Sequence, residues 1–179
     1  MRKLSALLLF LALAFTASGQ VSGKIGDIVS KHASPEPSGI LGKWCFSGIG
    51  MVFMEGTGQT PPLSEVTGLM SAMGVTPQGC SVTFHDLKKC TFAVEKKTFN
   101  INWAVDAASR EFKVSMGPLG LKGYLVETDN GIEMIFTRTN LFTMLFVLCT
   151  GAERKNIKPL GELLDCTQGL TLGIQFSAQ

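Results

Sequence analysis

Thr98-Phe99-Asn100-Ile101-Asn102-Trp103-Ala104-Val105 alternates large apolar side chains with small or polar ones along its whole length. Period two marks a strand with one buried face, because successive side chains on a strand point to opposite sides. Phe99, Ile101, Trp103 and Val105 make the inner face, and Asn100 and Asn102 the outer one. Glu111 to Met116 repeats the pattern with Phe112, Val114 and Met116. Leu119 to Glu127 follows, then a turn at Asp129-Asn130-Gly131, then Ile132 to Phe136. Asn-Gly between two such runs predicts a tight hairpin in which both residues take positive φ.

The same reading extends upstream. Ser81 to His85 and Cys90 to Glu95 form a hairpin around Asp86-Leu87-Lys88-Lys89. A turn centred near Leu87 puts Cys90 opposite Phe84 and away from Cys80, so a Cys80–Cys90 bridge is disfavoured. Gly42-Lys43-Trp44-Cys45-Phe46-Ser47 opens the first strand, with Trp44 and Phe46 on one face. Between these strands Pro61-Pro62 precedes a helix from Leu63 to Met73, with Val66, Leu69, Met70 and Met73 at helical spacing and Gly74 as its stop.

Downstream of Thr137 the periodicity is lost. Leu141 to Cys149 is apolar on nearly every side and follows a polar cap candidate, Thr139 or Asn140. That favours a buried helix, far short of the ~20 residues a membrane span needs. A helical turn is expected at Leu160 to Asp165. Gly169 to Ser177, with Leu170, Leu172, Ile174 and Phe176 alternating, makes a closing strand. The fold class is mainly β: an antiparallel β-barrel of about eight strands. One helix is inserted after the first strand and another lies near the C-terminal end. Closure removes exposed sheet edges, and a small barrel is either filled by side chains or holds one small ligand.

The first 19 residues read differently from the rest. Arg2-Lys3, the apolar run Leu4 to Phe15 and the small residues Thr16-Ala17-Ser18-Gly19 match a secretory signal peptide. Residues 20–39, with Pro35 and Pro37, read as a short helix or tail plus linker, and 40–179 as the barrel domain. Export to the periplasm or beyond is expected, and without a lipid anchor, because the first cysteine is Cys45. Of 16 basic residues the leader takes two, leaving 14 against 14 acidic ones, a net charge near zero that gives no electrostatic footprint for nucleic acid or an anionic membrane.

The ordered pieces together resemble a known family. Gly42-Lys43-Trp44 is similar to the Gly-x-Trp signature of lipocalins, whose tryptophan closes one end of the barrel. Gly79-Cys80-Ser81-Val82-Thr83-Phe84, Phe136 to Leu141 and Gly169-Leu170-Thr171-Leu172-Gly173-Ile174-Gln175-Phe176 resemble segments of a lipocalin-like family of exported bacterial proteins, domain of unknown function 4923. The resemblance covers Leu41 to Phe176. It departs from the family at the second hairpin, where Asp86-Leu87-Lys88-Lys89 stands in place of an Asp-Gly turn, and in its five cysteines, Cys45, Cys80, Cys90, Cys149 and Cys166. The resemblance implies a fold and an export route, and no activity.

Chemistry-bearing residues are sparse. His32 and His85 are the only histidines, and no C-x-x-C, phosphate loop, serine elbow or zinc-binding helix is present, so no enzyme, metal or cofactor is expected. His85-Asp86 falls on a turn, where adjacent side chains diverge. Cys166 has no partner histidine nearby in sequence, and an odd cysteine count leaves at least one unpaired within the chain. Lys88-Lys89 and Lys96-Lys97 read as charged hairpin ends. Of two functions the residues favour the first. In that one, the barrel binds a small apolar or amphipathic ligand, with Phe99, Trp103, Phe112, Tyr124 and Phe146 as contacts, Tyr124 as a polar handle and Leu141 to Cys149 as a gate. In the other, the barrel is filled and serves as a structural or protein-interaction module of the cell envelope, its partner unidentified. In both, Gly42 and Trp44 are structural. A cavity of a few hundred cubic ångströms would separate the two.

Overall fold

The computed structural model describes residues 20–22, 25–54, 60–165 and 171–179, so the leader and Cys166 lie outside the described residues. Nine strands form a single sheet: β1 (Gln20–Ser22), β2 (Gly42–Met54), β3 (Cys80–Phe84), β4 (Lys89–Val94), β5 (Lys97–Val105), β6 (Glu111–Met116), β7 (Leu119–Thr128), β8 (Gly131–Thr137) and β9 (Thr171–Ala178). Consecutive strands from β2 to β9 pair antiparallel, and β9 pairs back on β2. That last pairing closes an eight-stranded barrel; β1 adds in parallel to the far end of β2.

Strand β2 makes closure possible. From the Gly42–Ser47 stretch that opens it, the strand runs on through Gly48-Ile49-Gly50, where the alternation breaks, to Met54. Two register irregularities, between Phe46 and Gly48 and between Ile49 and Val52, bend the strand. Residues 42–45 pair with β3, and β9 runs along the other side of β2 from Trp44 to Phe53. Extra residues of this kind sharpen local twist, which small barrels need.

The predicted registers hold. Cys90 lies opposite Phe84 and Cys80 opposite Val94. On β5, Ile101 and Trp103 are buried, Phe99 and Val105 are half-buried, and the residues between them point out. The β7–β8 hairpin differs in detail. Thr128 pairs with Gly131, so Asp129 and Asn130 are the two loop residues, and of these positions only Gly131 takes a positive φ, +148°. A Cβ at Gly131 would sit 2.1 Å from the Phe176 carbonyl oxygen, so β9 passing behind the turn fixes glycine there.

Three helices and a 3₁₀ turn lie between or after the strands. They are α2 (Leu63–Ser71), α3 (Arg138–Leu148), the 3₁₀ turn Gly151–Asn156 and α4 (Ile157–Asp165). Helix α2 ends at Ser71, two residues short of the expected Met73, and a turn running through Gly74 closes it. The Gly74 N–H returns to Ser71 and the Val75 N–H to Met70, and Gly74 takes φ +85°. Helix α3 begins three residues before Leu141. Thr137, not Thr139 or Asn140, is its cap, accepting the Asn140 N–H. Asn140 instead donates its side-chain N–H to the Lys122 carbonyl on β7 at 2.6 Å.

Helix α1 (Ile25–Val29) belongs to the segment before the barrel. Its Ile28 and Val29 pack on Val126 and Ile135, which face out of β7 and β8. The chain then follows the barrel wall through Glu127 N–H to Ala33 O and Arg110 Nε to His32 O, and delivers Ile40 into the main core.

Candidate functional site: the helix-capped mouth of the barrel

The two ends of the barrel are closed by different means. At the end where β2 begins, aromatic rings fill the interior. Trp103 stands edge-on to Phe84 at 4.7 Å between centroids and lies 6.3 Å from Phe112. Its indole N–H donates to the Asp86 carbonyl of the β3–β4 turn at 2.9 Å. Trp44 is half-buried beside this group and donates to the Ile40 carbonyl at 2.7 Å. Both indole donors are satisfied by backbone of the loops that cross this end, so the rings are fixed in place. Gly42 is structural for a reason other than space. A Cβ there meets nothing within 4 Å, but φ is +118°, a conformation that L side chains rarely adopt.

At the opposite end α3 lies across β7, β8 and β9, α4 packs beside it, and α2 packs against α4 and β2. Beneath α3 is a void of about 30 Å³. Phe92, Ile101, Phe112 and Phe136 form its floor and walls, Met116 and Leu119 of the β6–β7 turn its rim, and Met144, Val147 and Leu148 its lid. This is the candidate ligand site, and its volume is close to that of a single water.

Of the five residues expected to contact a ligand, only Phe112 lines this void. Phe99 faces inward opposite Phe92 without reaching it. Trp103 is packed into the other end. Tyr124 points out of the barrel and packs with α1 on Val126 and Ile135, so it offers no polar handle to the interior. Phe146 is 55% exposed on the outer face of α3, under the Arg154 guanidinium at 4.2 Å. Helix α3 is apolar on nearly every side, yet it buries one face only. Leu141, Met144, Leu145 and Leu148 go in, while Arg138 and Arg154 cover Phe142 and Phe146 outside.

The chemically active side chains are scattered. The Asp86 carboxylate accepts the Lys88 and Lys89 N–H groups, which hold its pKa below the ordinary value. His85 Nε2 instead engages Thr91 Oγ1 at 2.6 Å. Burial pushes the Cys80 and Cys90 thiols up to about 12 and raises Cys149. Cys45, Cys80, Cys90 and Cys149 are all free thiols. One feature escaped the sequence reading. Glu133 is only 1% exposed although it points out of β8, where Gly50 leaves it room and Gln175 Nε2 lies 3.4 Å away. It floors an open groove of about 480 Å³ together with His32, Glu127 and Asp129. Its place between Ile132 and Met134 was the available signal, since alternation alone puts it on the outer face.

A family model for a lipocalin-like domain, DUF4923, matches residues 61–178. The chain belongs to that family. The match begins after β2, so the Gly-x-Trp strand lies outside it, whereas α2 and β3 to β9 lie within it. No curated protein and no solved structure matches this DUF4923 chain. Among the described residues no helix is long and apolar enough to cross a membrane.

Proposed function

We propose that this DUF4923 protein is an exported, non-catalytic barrel with a packed interior, acting through its surface as an interaction module of the cell envelope. The observation that carries this reading is the void of about 30 Å³ under α3. Pockets that hold small molecules run to roughly 300–1,000 Å³, ten times more. Export is supported by the basic, apolar and small-residue leader ahead of Gln20. The non-catalytic part is supported by thiols whose burial keeps them protonated and by a histidine engaged with a threonine on the barrel's outer face. Calorimetric titration with saturated and unsaturated fatty acids and with retinoid-like polyenes should give no saturable heat. One-to-one saturation by any of them would refute the packed reading.

One observation favours the ligand reading. The void under α3 is walled almost entirely by carbon and sulfur, and both Met116 and Met144 line it. Methionine adapts to irregular shapes, so a lift of α3 would admit the end of an alkyl chain. Such a ligand would slow hydrogen exchange across residues 141–148 on binding.

A further inference from the structure

Three large apolar side chains are exposed among the described residues, and two of them, Leu41 at 42% and Leu87 at 56%, lie at the same end of the barrel. Gly42 pairs with Phe84, so Leu41 enters β2 beside the β3–β4 turn that carries Leu87 at its tip. That turn is fixed. Asp86 Oδ1 accepts the Lys88 and Lys89 N–H groups at 2.8 Å, and Lys88 O accepts the Trp103 N–H at 2.9 Å. Leu87 is therefore held outward on a rigid support, where it contributes nothing to the core. Turn tips ordinarily carry Gly, Asn or Asp, so a leucine there needs another reason.

The charges around the two leucines point to a partner. Lys43, Lys88 and Lys89 are exposed on the same strands and turn, and none of them makes an ion pair among the described residues. Lys97, Lys113, Lys122, Arg138 and Lys158 elsewhere are paired, whereas Lys31, Lys96 and Lys155 also make no ion pair among the described residues, so what sets Lys43, Lys88 and Lys89 apart is their place beside two exposed leucines. Asp86 on the same turn and Asp106 after β5 each direct Oδ1 back to N–H groups of their own turns. Rigid apolar tips ringed by unpaired lysines match the interface of a bilayer with acidic headgroups, where chains take the leucines and headgroups take the ammonium groups. We infer that the end of the barrel bearing Leu41 and Leu87 docks on an anionic lipid bilayer surface. This rests on the reading that the surface, not the interior, does the work.

The test is co-sedimentation of the protein, in the form its own host produces, with phosphatidylglycerol–phosphatidylethanolamine vesicles and with phosphatidylcholine vesicles. Binding should appear with the first and fade with added salt. Each lysine near such a surface is worth about fivefold in partition, so Lys88→Gln with Lys89→Gln should weaken binding about 25-fold. Leu87→Ser should weaken it about five- to tenfold, with unchanged melting temperature because the side chain is exposed. Absence of binding to the acidic vesicles at low salt would overturn the proposal. So would binding indifferent to Leu87→Ser, or equal capture by heparin, which would mean a general affinity for polyanions. Soluble one-to-one complexes with extracted lipid would sink the packed interior instead, and the vesicle variants would still score the docking end separately.

Discussion

The two tryptophans should differ sharply when truncated, in the opposite sense to the one their sequence contexts suggest. Trp44 carries the signature, but Trp103 carries the packing. Trp103 is 4% exposed, touches Phe84 and Phe112, and holds the β3–β4 turn through its indole N–H. Removing a fully buried aromatic side chain costs about 3–5 kcal/mol through lost burial and the cavity left behind. For a chain of this size each kcal/mol moves the melting temperature by about 2–4 °C, so Trp103→Ala should melt about 6–20 °C lower. Trp103→Phe keeps most of the ring and loses the bond to Asp86 O; it should cost about 1–2 kcal/mol. Trp44 is half-buried, so Trp44→Ala should cost about 2 kcal/mol. Thermal and urea unfolding followed by far-UV circular dichroism give all three values. A Trp103→Ala variant that melts within about 2 °C of wild type, or that is more stable than Trp44→Ala, would refute the reasoning.

Helix α3 offers a paired contrast: Leu145→Ala should cost about 2–5 kcal/mol, whereas Phe146→Ala should lose only the stacking with Arg154, about 0.5–1 kcal/mol, and equal losses in urea would contradict the burial assignment. Native thiol labelling at pH 8 should leave Cys80 and Cys90 unmodified, because a pKa of about 12 leaves roughly one thiolate in ten thousand. Rapid labelling of either without denaturant would show that the barrel opens there. Stability should decline with acid. Asp86 and Asp106 are held down by backbone N–H groups, Glu111 by Lys113, and Glu153 by Lys97 and the Thr150 N–H. Folded values below the unfolded 3.8 and 4.5 mean these contributions are complete above those values and are lost as pH falls through the folded ones. The urea midpoint should drop between pH 5 and pH 3, less steeply in Asp86→Asn; an unchanged slope in that variant would remove Asp86 from the explanation.

Strand existence and register were legible because one buried face imposes period two. Phe99, Ile101 and Trp103 could point only one way, and the Asp86–Lys89 turn then fixed Cys90 opposite Phe84. What escaped depends on elements remote in sequence. The length of β2 is set by bulges that pair Gly48 and Ile49 with β9, more than 120 residues away. Tyr124 and Val126 alternate correctly on β7, but the apolar outer face they share exists because α1 covers it. Phe146 lies in an apolar run that reads as wholly buried, and its exposed ring is sheltered instead by Arg154 from the following 3₁₀ turn. The void under α3 could not be read at all. Apolar composition is the same for a lined pocket and a filled one; only the packing of Phe92, Phe112, Phe136 and Met144 decides between them.

Native mass spectrometry of the protein purified from its own host, under conditions that keep the barrel folded, tests the packed interior most directly. A filled barrel predicts a single species at the mass of the polypeptide, unchanged when the sample is first unfolded and delipidated. A folded-state adduct of lipid size, present one to one and lost on unfolding, would contradict it and identify the void under α3 as the closed form of a working pocket.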